Sequence, residues 1–277
     1  MREFEKFLEE RKHQCKVFTS ERYMDSGDTV CYGDINSLES FIELGKDGWV
    51  GIGFGEDFEF TQETIDAFGG RLVDFMGIPL PRYRGGAHWT WAILNAEKEW
   101  GSCIQLITPE MKQGVFDNGK VVSRRVFKFG DYKTPQDLID KVCEEGMAQL
   151  KLFVHELGKG KDFTVTEIDE SKSEYYPRLN TEKDGKIDWT WNVQDIHRFI
   201  CAFDKPYKGA WAWFDNGGHG LIKVHLRDCS SIVDGIHPYT SGLVVQRTEE
   251  GIYVNAPMGR LLIKDYSEEV NVGDRMY

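Results

Sequence analysis

The chain has 277 residues, enough for one large and one small domain, each with its own core. A formal net charge of −12 argues against generic binding to a phosphate backbone, which attracts clustered Lys and Arg. No apolar run approaches the roughly 20 residues needed to span a bilayer, and the charged opening "MREFEKFLEERKHQ" lacks a signal-peptide apolar region. Cys15, Cys31, Cys103, Cys143, Cys201 and Cys229 show no CxxC spacing, so reduced thiols in a cytoplasmic protein are expected.

From Glu3 to Lys12 the chain reads as a helix with Phe4, Phe7 and Leu8 on one face, and "CKVFTS" (15–20) as a strand. An amphipathic helix is expected over 35–44, and "GWVGIGFG" (48–55) suits a buried parallel strand. "TQETIDAF" (61–68) has Thr61 as its N-cap and stops at Gly69-Gly70. "RLVDFM" (71–76) is the next strand, followed by a helix over 88–99 and strands over 102–107 and 120–129. A long helix from Pro135 to Leu157 is opened by Thr134. Alternation of this kind predicts an α/β fold with an open, mostly parallel, Rossmann-like sheet.

Residues 158–186 are charged and poor in periodic apolar positions, as expected of a connection, and 193–203 returns to a helix. Beyond Pro206 come five short apolar runs, "GAWAWF", "GLIKVHL", "GLVVQRT", "GIYVNAP" and "RLLIKDY", separated by Gly and Asp turns. They predict a small OB-like antiparallel β-barrel as a C-terminal domain. The expected domains are 1–160, a linker with its helix at 161–205, and 206–277. A doubly wound sheet normally opens on an apolar strand before its first helix. Here the chain begins inside what reads as that helix, so the sheet is expected to lack its first strand, with "CKVFTS" moving beside "WVGIGF".

The junction "VDFMGIPLPRYRGGAHWTWAIL" (73–94) joins a strand end to a helix start. Pro79 and Pro81 fix φ, and Gly85 and Gly86 permit close backbone approach. Such loops are where open α/β sheets bind ligands. Arg82 and Arg84 suit an anion, a phosphate or a carboxylate. The same residues also suit a purely structural loop, with both arginines pinned to nearby carboxylates and Trp89, Trp91 and Ile93 in the core. His219 and His225 could share a strand face, but no third residue has ligand spacing and no metal site is expected. "GIGFGEDF" lacks the order of a phosphate loop and reads as a strand end. Trp189 and Trp191, around "DGKIDW", are expected to be buried between the domains.

"LPRYRGGAHWTWAILNAEKEWGSCIQLI" resembles the central motif of the formyltransferases that use N10-formyltetrahydrofolate. "FDNGKVV" (116–122), "YYPRLNTEKDGKIDWTWNVQDIHRFICAFDKPYKGAW" (175–211) and "HPYTSGLVVQRTEEGIYVNAPMGRLLI" continue the resemblance in order. The last two are similar to the linker and barrel of methionyl-tRNA formyltransferases. The resemblance implies three chemical residues: an Asn and a His two apart at the strand end, and an Asp on a later loop. The amide and imidazole serve the tetrahedral oxyanion and its protons, and the Asp orients the His.

Counting back from Pro81 places Asp74 at the Asn position and Met76 at the His position. Asp117 matches the Asp, with Gly119 two residues on; an ungapped alignment would put Lys112 there instead. An ionised Asp74 repels an oxyanion, and Met76 donates no hydrogen bond. His88, some twelve residues on at a helix start, is the candidate to substitute for the absent imidazole, against a capping or surface role. The implied reaction is formyl transfer from N10-formyltetrahydrofolate to an amine, with activity expected to be weak or lost. Residues 201–277 carry eight Lys/Arg against ten Asp/Glu, which favours a sugar nucleotide or other small amine as acceptor over a tRNA. The alternative is a non-catalytic ligand-binding or interaction protein on the same scaffold.

Overall fold

The computed structural model describes residues 2–20, 29–54, 59–111, 117–130, 132–215 and 220–277. In chain order the elements are α1 (Arg2–Glu10), β1 (Val17–Ser20), β2 (Thr29–Tyr32), α2 (Glu39–Lys46), β3 (Gly51–Gly53), α3 (Gln62–Ala67), β4 (Leu72–Met76), β5 (Arg84–Gly85), α4 (His88–Leu94) and β6 (Glu99–Leu106). There follow β7 (Val121–Lys128), α5 (Pro135–Gly158), β8 (Tyr175–Tyr176), α6 (Thr181–Asp184), α7 (Val193–Ala202), β9 (Ala210–Asp215), β10 (Leu221–Val233), β11 (Val244–Arg247), β12 (Ile252–Ala256) and β13 (Gly259–Tyr266). Two compact units emerge: 1–84 with 100–127 and 142–175, and 85–99 with 128–141 and 176–277. Among the described residues no helix is long and apolar enough to cross a membrane.

The first unit is built on a four-stranded sheet of order β3-β4-β6-β7. β3 and β4 run parallel, as expected of an α/β sheet, and β6 enters antiparallel to β4. Leu72 joins Ile35, Phe41, Ile65, Phe68 and Ile107 on one face. Val73 joins Phe4, Ile104, Leu150 and Val154 on the other. Thr61 caps α3 as expected, its hydroxyl accepting from Thr64 N.

Several expectations are corrected here. β1 does not lie beside β3; it pairs in parallel with β2, a strand not foreseen from "TVCY". A four-residue strand that is only half-buried along its length offers little apolar surface to a central sheet position. The helix expected over 35–44 divides into a 3-10 turn, Ile35–Ser37, and α2, because Leu38 between them is extended at φ −82 and ψ 98. α4 stops at Leu94 rather than 99, and the strand begins at Glu99. Ala96 adopts φ 54, a left-handed conformation that terminates a helix.

The second unit holds the five-stranded antiparallel sheet β11-β12-β13-β10-β9, with α7 packed on it. β10 extends well past the expected run, because every residue of "RDCSSIV" except Asp228 still pairs with β13. The tail pairs with both outer strands: Met276 bridges Phe214, and Arg275 bridges Leu243. Two further bonds, Tyr277 N to Trp213 O at 2.7 Å and Met276 N to Gly242 O at 2.8 Å, satisfy the edges that would otherwise stay open. Trp189 is buried, whereas Trp191 is 38% exposed.

Candidate active site

In β4 the period-two alternation puts Leu72, Asp74 and Met76 on one face and Val73 and Phe75 on the other. Phe75 fills a notch at Gly146 of α5, where an added Cβ would lie 2.3 Å from its ring. Asp74 is only 8% exposed, and Met76 is half-buried. Across the antiparallel ladder Asp74 faces Gln105 and Met76 faces Cys103. Gln105 is fully buried; its Oε1 accepts from Gly119 N at 3.2 Å, while its Nε2 has no hydrogen-bond partner among the described residues.

Gly119 must be glycine, since a Cβ there would stand 2.1 Å from Leu106 O. Asp117, two residues earlier, adopts φ 54 and is half-buried. The loop bearing Asp117 is thereby tied to the strand opposite Asp74 through Gln105. Lys112, the ungapped alternative, lies outside the described residues, as do His219 and residues 55–58 of "GIGFGEDF".

The two junction arginines are engaged by carboxylates. Arg84 makes a bidentate pair with Glu170 at 2.9 and 3.1 Å, donates to Ser173 Oγ, and reaches Asp117 O from Nε at 3.1 Å. Arg82 Nε donates to Glu174 at 3.0 Å. Tyr83 between them is fully buried at φ 64, a conformation that costs roughly 1–3 kcal/mol and persists only when its surroundings enforce it. Trp100 supplies part of that enforcement: its ring lies 4.6 Å from Tyr83, and its indole N–H donates to Gly77 O at 2.8 Å. Burial pushes the Cys103 thiol up to about 11, which leaves it inert at neutral pH.

In the second unit, Gly85 has φ 106 and Gly86 N donates to Tyr176 O. A Cβ on Gly86 would press on Arg178 at 3.1 Å. His88 opens α4, and its Nε2 lies 3.1 Å from Gly85 O. Burial lowers its pKa to about 4, with Arg178 acting in the same direction and the Gly85 bond against. At neutral pH the ring is uncharged, and the facing carbonyl requires the proton on Nε2. His88 therefore braces the Gly85 turn.

A pH effect follows. The unfolded imidazole titrates near 6.5 and the folded one near 4, so the unfolded chain takes up the proton first as pH falls. His88 thus favours folding above about pH 6.5, and that contribution fades between about 6.5 and 4, by up to roughly 3 kcal/mol. Urea unfolding of the parent and of His88→Gln across this range should show a shallower acid loss in the variant; parallel curves would contradict the assignment.

Residues 180–271 match the family described as formyl transferase, C-terminal domain. Methionyl-tRNA formyltransferase of Geobacter sulfurreducens is 26% identical over 233 residues, 84% of this chain and 68% of that protein. The chain is similar to formyltransferases in its C-terminal region and along most of its length.

Two solved structures share the fold. WlaRD, a sugar 3N-formyl transferase crystallised with dTDP and 5-N-formyl-THF, covers 94% of this chain and 92% of its own at TM-score 0.64 and 16% identity. HypX from Aquifex aeolicus, in complex with tetrahydrofolic acid, covers 95% at TM-score 0.63 and 17% identity, and this chain spans 41% of it. Sequence reasoning passed over Gln105. Its signal was a glutamine at an inward position of the apolar run "SCIQLI", where a buried amide calls for partners.

Proposed function

We propose that this chain is a formyltransferase scaffold on which formyl transfer is weakened or lost. The observation that carries the reading is Asp74 and Met76 on one face of the β4 strand end, the carboxylate 8% exposed. An oxyanion needs donors; an ionised carboxylate repels it and a thioether offers none. The donor set at this strand end therefore does not fit a formyl-transfer centre.

The ancestral donor in this reading is N10-formyltetrahydrofolate, and the acceptor is the amino group of a sugar nucleotide or another small amine. Support comes from the fold shared with WlaRD and from the acidic balance of residues 201–277. Methionyl-tRNA is the competing acceptor, because the linker and C-terminal sheet resemble those relatives. The domain division at 160 and 205, an OB-like barrel and a cytoplasmic location belong to the same proposal.

A second reading, ligand binding without chemistry, draws on Gln105. A buried amide nitrogen without a partner, as Gln105 Nε2 is among the described residues, costs roughly 1–3 kcal/mol, which a ligand acceptor would recover. Arg82 is the more exposed of the two junction arginines and the better placed to meet an anion.

The test is calorimetry of the unmodified chain with 5-formyltetrahydrofolate and with a dTDP-amino sugar, beside a formyl-transfer assay on the sugar and on methionyl-tRNA. Binding without turnover is expected. Turnover at a rate ordinary for enzymes, about 1–10³ per second, would overturn the loss of chemistry. Absence of binding to either compound would overturn the ligand-binding reading.

A further inference from the structure

Three soft or borderline donors converge where α7 packs on β10 in the second unit. Asn192 caps α7, accepting from Gln194 N and Asp195 N. His197 and Cys201 lie four residues apart, hence on one helical face. Cys229 comes from β10, just after Asp228, whose φ of 41 bends the strand locally. The Asp204 carboxylate holds that bend, accepting from Asp228 N at 2.7 Å and from Lys205 N at 2.6 Å. His197 Nε2 lies 3.5 Å from Cys201 Sγ and 3.2 Å from Cys229 O. The Cys229 thiol sits 3.8 Å from His197 O. All three donor atoms lie within 4.8 Å of one another.

We propose that His197, Cys201 and Cys229 form a binding site for a thiolate-preferring metal ion, Zn2+ foremost. Tetrahedral zinc, with bonds of about 2.3 Å to sulfur and about 2.0–2.1 Å to nitrogen, separates such ligands by about 3.5 Å. The spacing between His197 and Cys201 already meets that requirement. A set of two thiols and one imidazole suits Zn2+ or Cu(I) and not Mg2+ or Ca2+, which take oxygen ligands. Loading exchanges the two thiol protons for the cation and moves the imidazole proton from Nε2 to Nδ1, so two protons leave per Zn2+. Solvent takes the fourth position. The ion would cross-link α7 to β10 at the point where Asp204 has set the strand's bend.

The cysteine spacing in sequence does not lead here, because the ligands come from a helix and from a strand 28 residues further on. The site is independent of the formyl-transfer reading. Co2+ titration of the untagged, chelator-treated, reduced full chain tests it. The expected result is one equivalent of Co2+ with thiolate-to-cobalt charge-transfer absorption, displaced by one equivalent of Zn2+. Loss of an outer-shell partner alone weakens metal binding about 10–100-fold, so Cys229→Ser should lose at least about 100-fold and Cys143→Ser nothing.

Circular dichroism of each variant separates lost ligation from lost folding, and the titration of the unmodified chain stands whichever variants fold. No charge-transfer band in the unmodified chain would overturn the proposal. So would a band that persists in the Cys201→Ser/Cys229→Ser double variant, or a Cys201–Cys229 disulfide in protein isolated without added oxidant.

Discussion

In the Asp74→Asn/Met76→His double variant, formyl transfer to an amino-sugar nucleotide is expected to rise by at least about 10²–10³-fold over the unmodified chain. One oxyanion donor is typically worth that much, and the variant restores two polar groups. β4 is in position to present them, since Asp74 and Met76 share a face and Asp74 stands opposite Gln105. Asn is isosteric with Asp, so the strand has no reason to shift. The single variants should fall well short of the double, because groups that act on one intermediate are strongly non-additive. Initial rates with formyl donor and sugar nucleotide, read beside folate-analogue binding, check the claim. Binding without any gain in rate would mean that the loop carrying Asp117, and not only the two donors, has departed from a working arrangement.

Trp100→Ala should destabilise the chain by about 3–5 kcal/mol, the usual penalty for emptying a buried tryptophan site. The indole is 1% exposed, packs on Tyr83 and donates to Gly77 O. Its removal leaves a cavity and an unpaired carbonyl at the strand end that carries Met76. It also withdraws support from the left-handed Tyr83, whose backbone strain then favours rearrangement of the loop. Trp100→Phe keeps much of the packing and loses the hydrogen bond, with an expected loss of about 1–3 kcal/mol. Denaturant unfolding of the three proteins gives the comparison. A Trp100→Ala midpoint equal to the parent's would show that the junction does not depend on this residue.

Local pattern was a reliable guide wherever neighbours along the chain set the outcome. α3 starts at its Thr61 cap, and α5 runs from Pro135 almost as its periodicity indicates. β4 and the C-terminal strands follow their apolar runs between glycine and aspartate turns. The order of motifs from the junction to the last strands carried the resemblance to formyltransferases, with Asp74 and Met76 proposed at its Asn and His positions. These features depend on backbone propensity and on alternation with period 2 or 3.6, which a short window of residues determines.

Partnership was decided elsewhere. The edge that β1 joins, the antiparallel entry of β6, the carboxylates that take Arg82 and Arg84, and the burial that keeps His88 neutral all require residues a dozen or more positions apart. So does the meeting of His197 and Cys201 with Cys229, and of Gln105 with Gly119. Each such pairing competes with solvent and with other partners of similar net energy, so one sequence window leaves several choices equally good. The packed core removes that degeneracy by admitting a single register and a single set of neighbours.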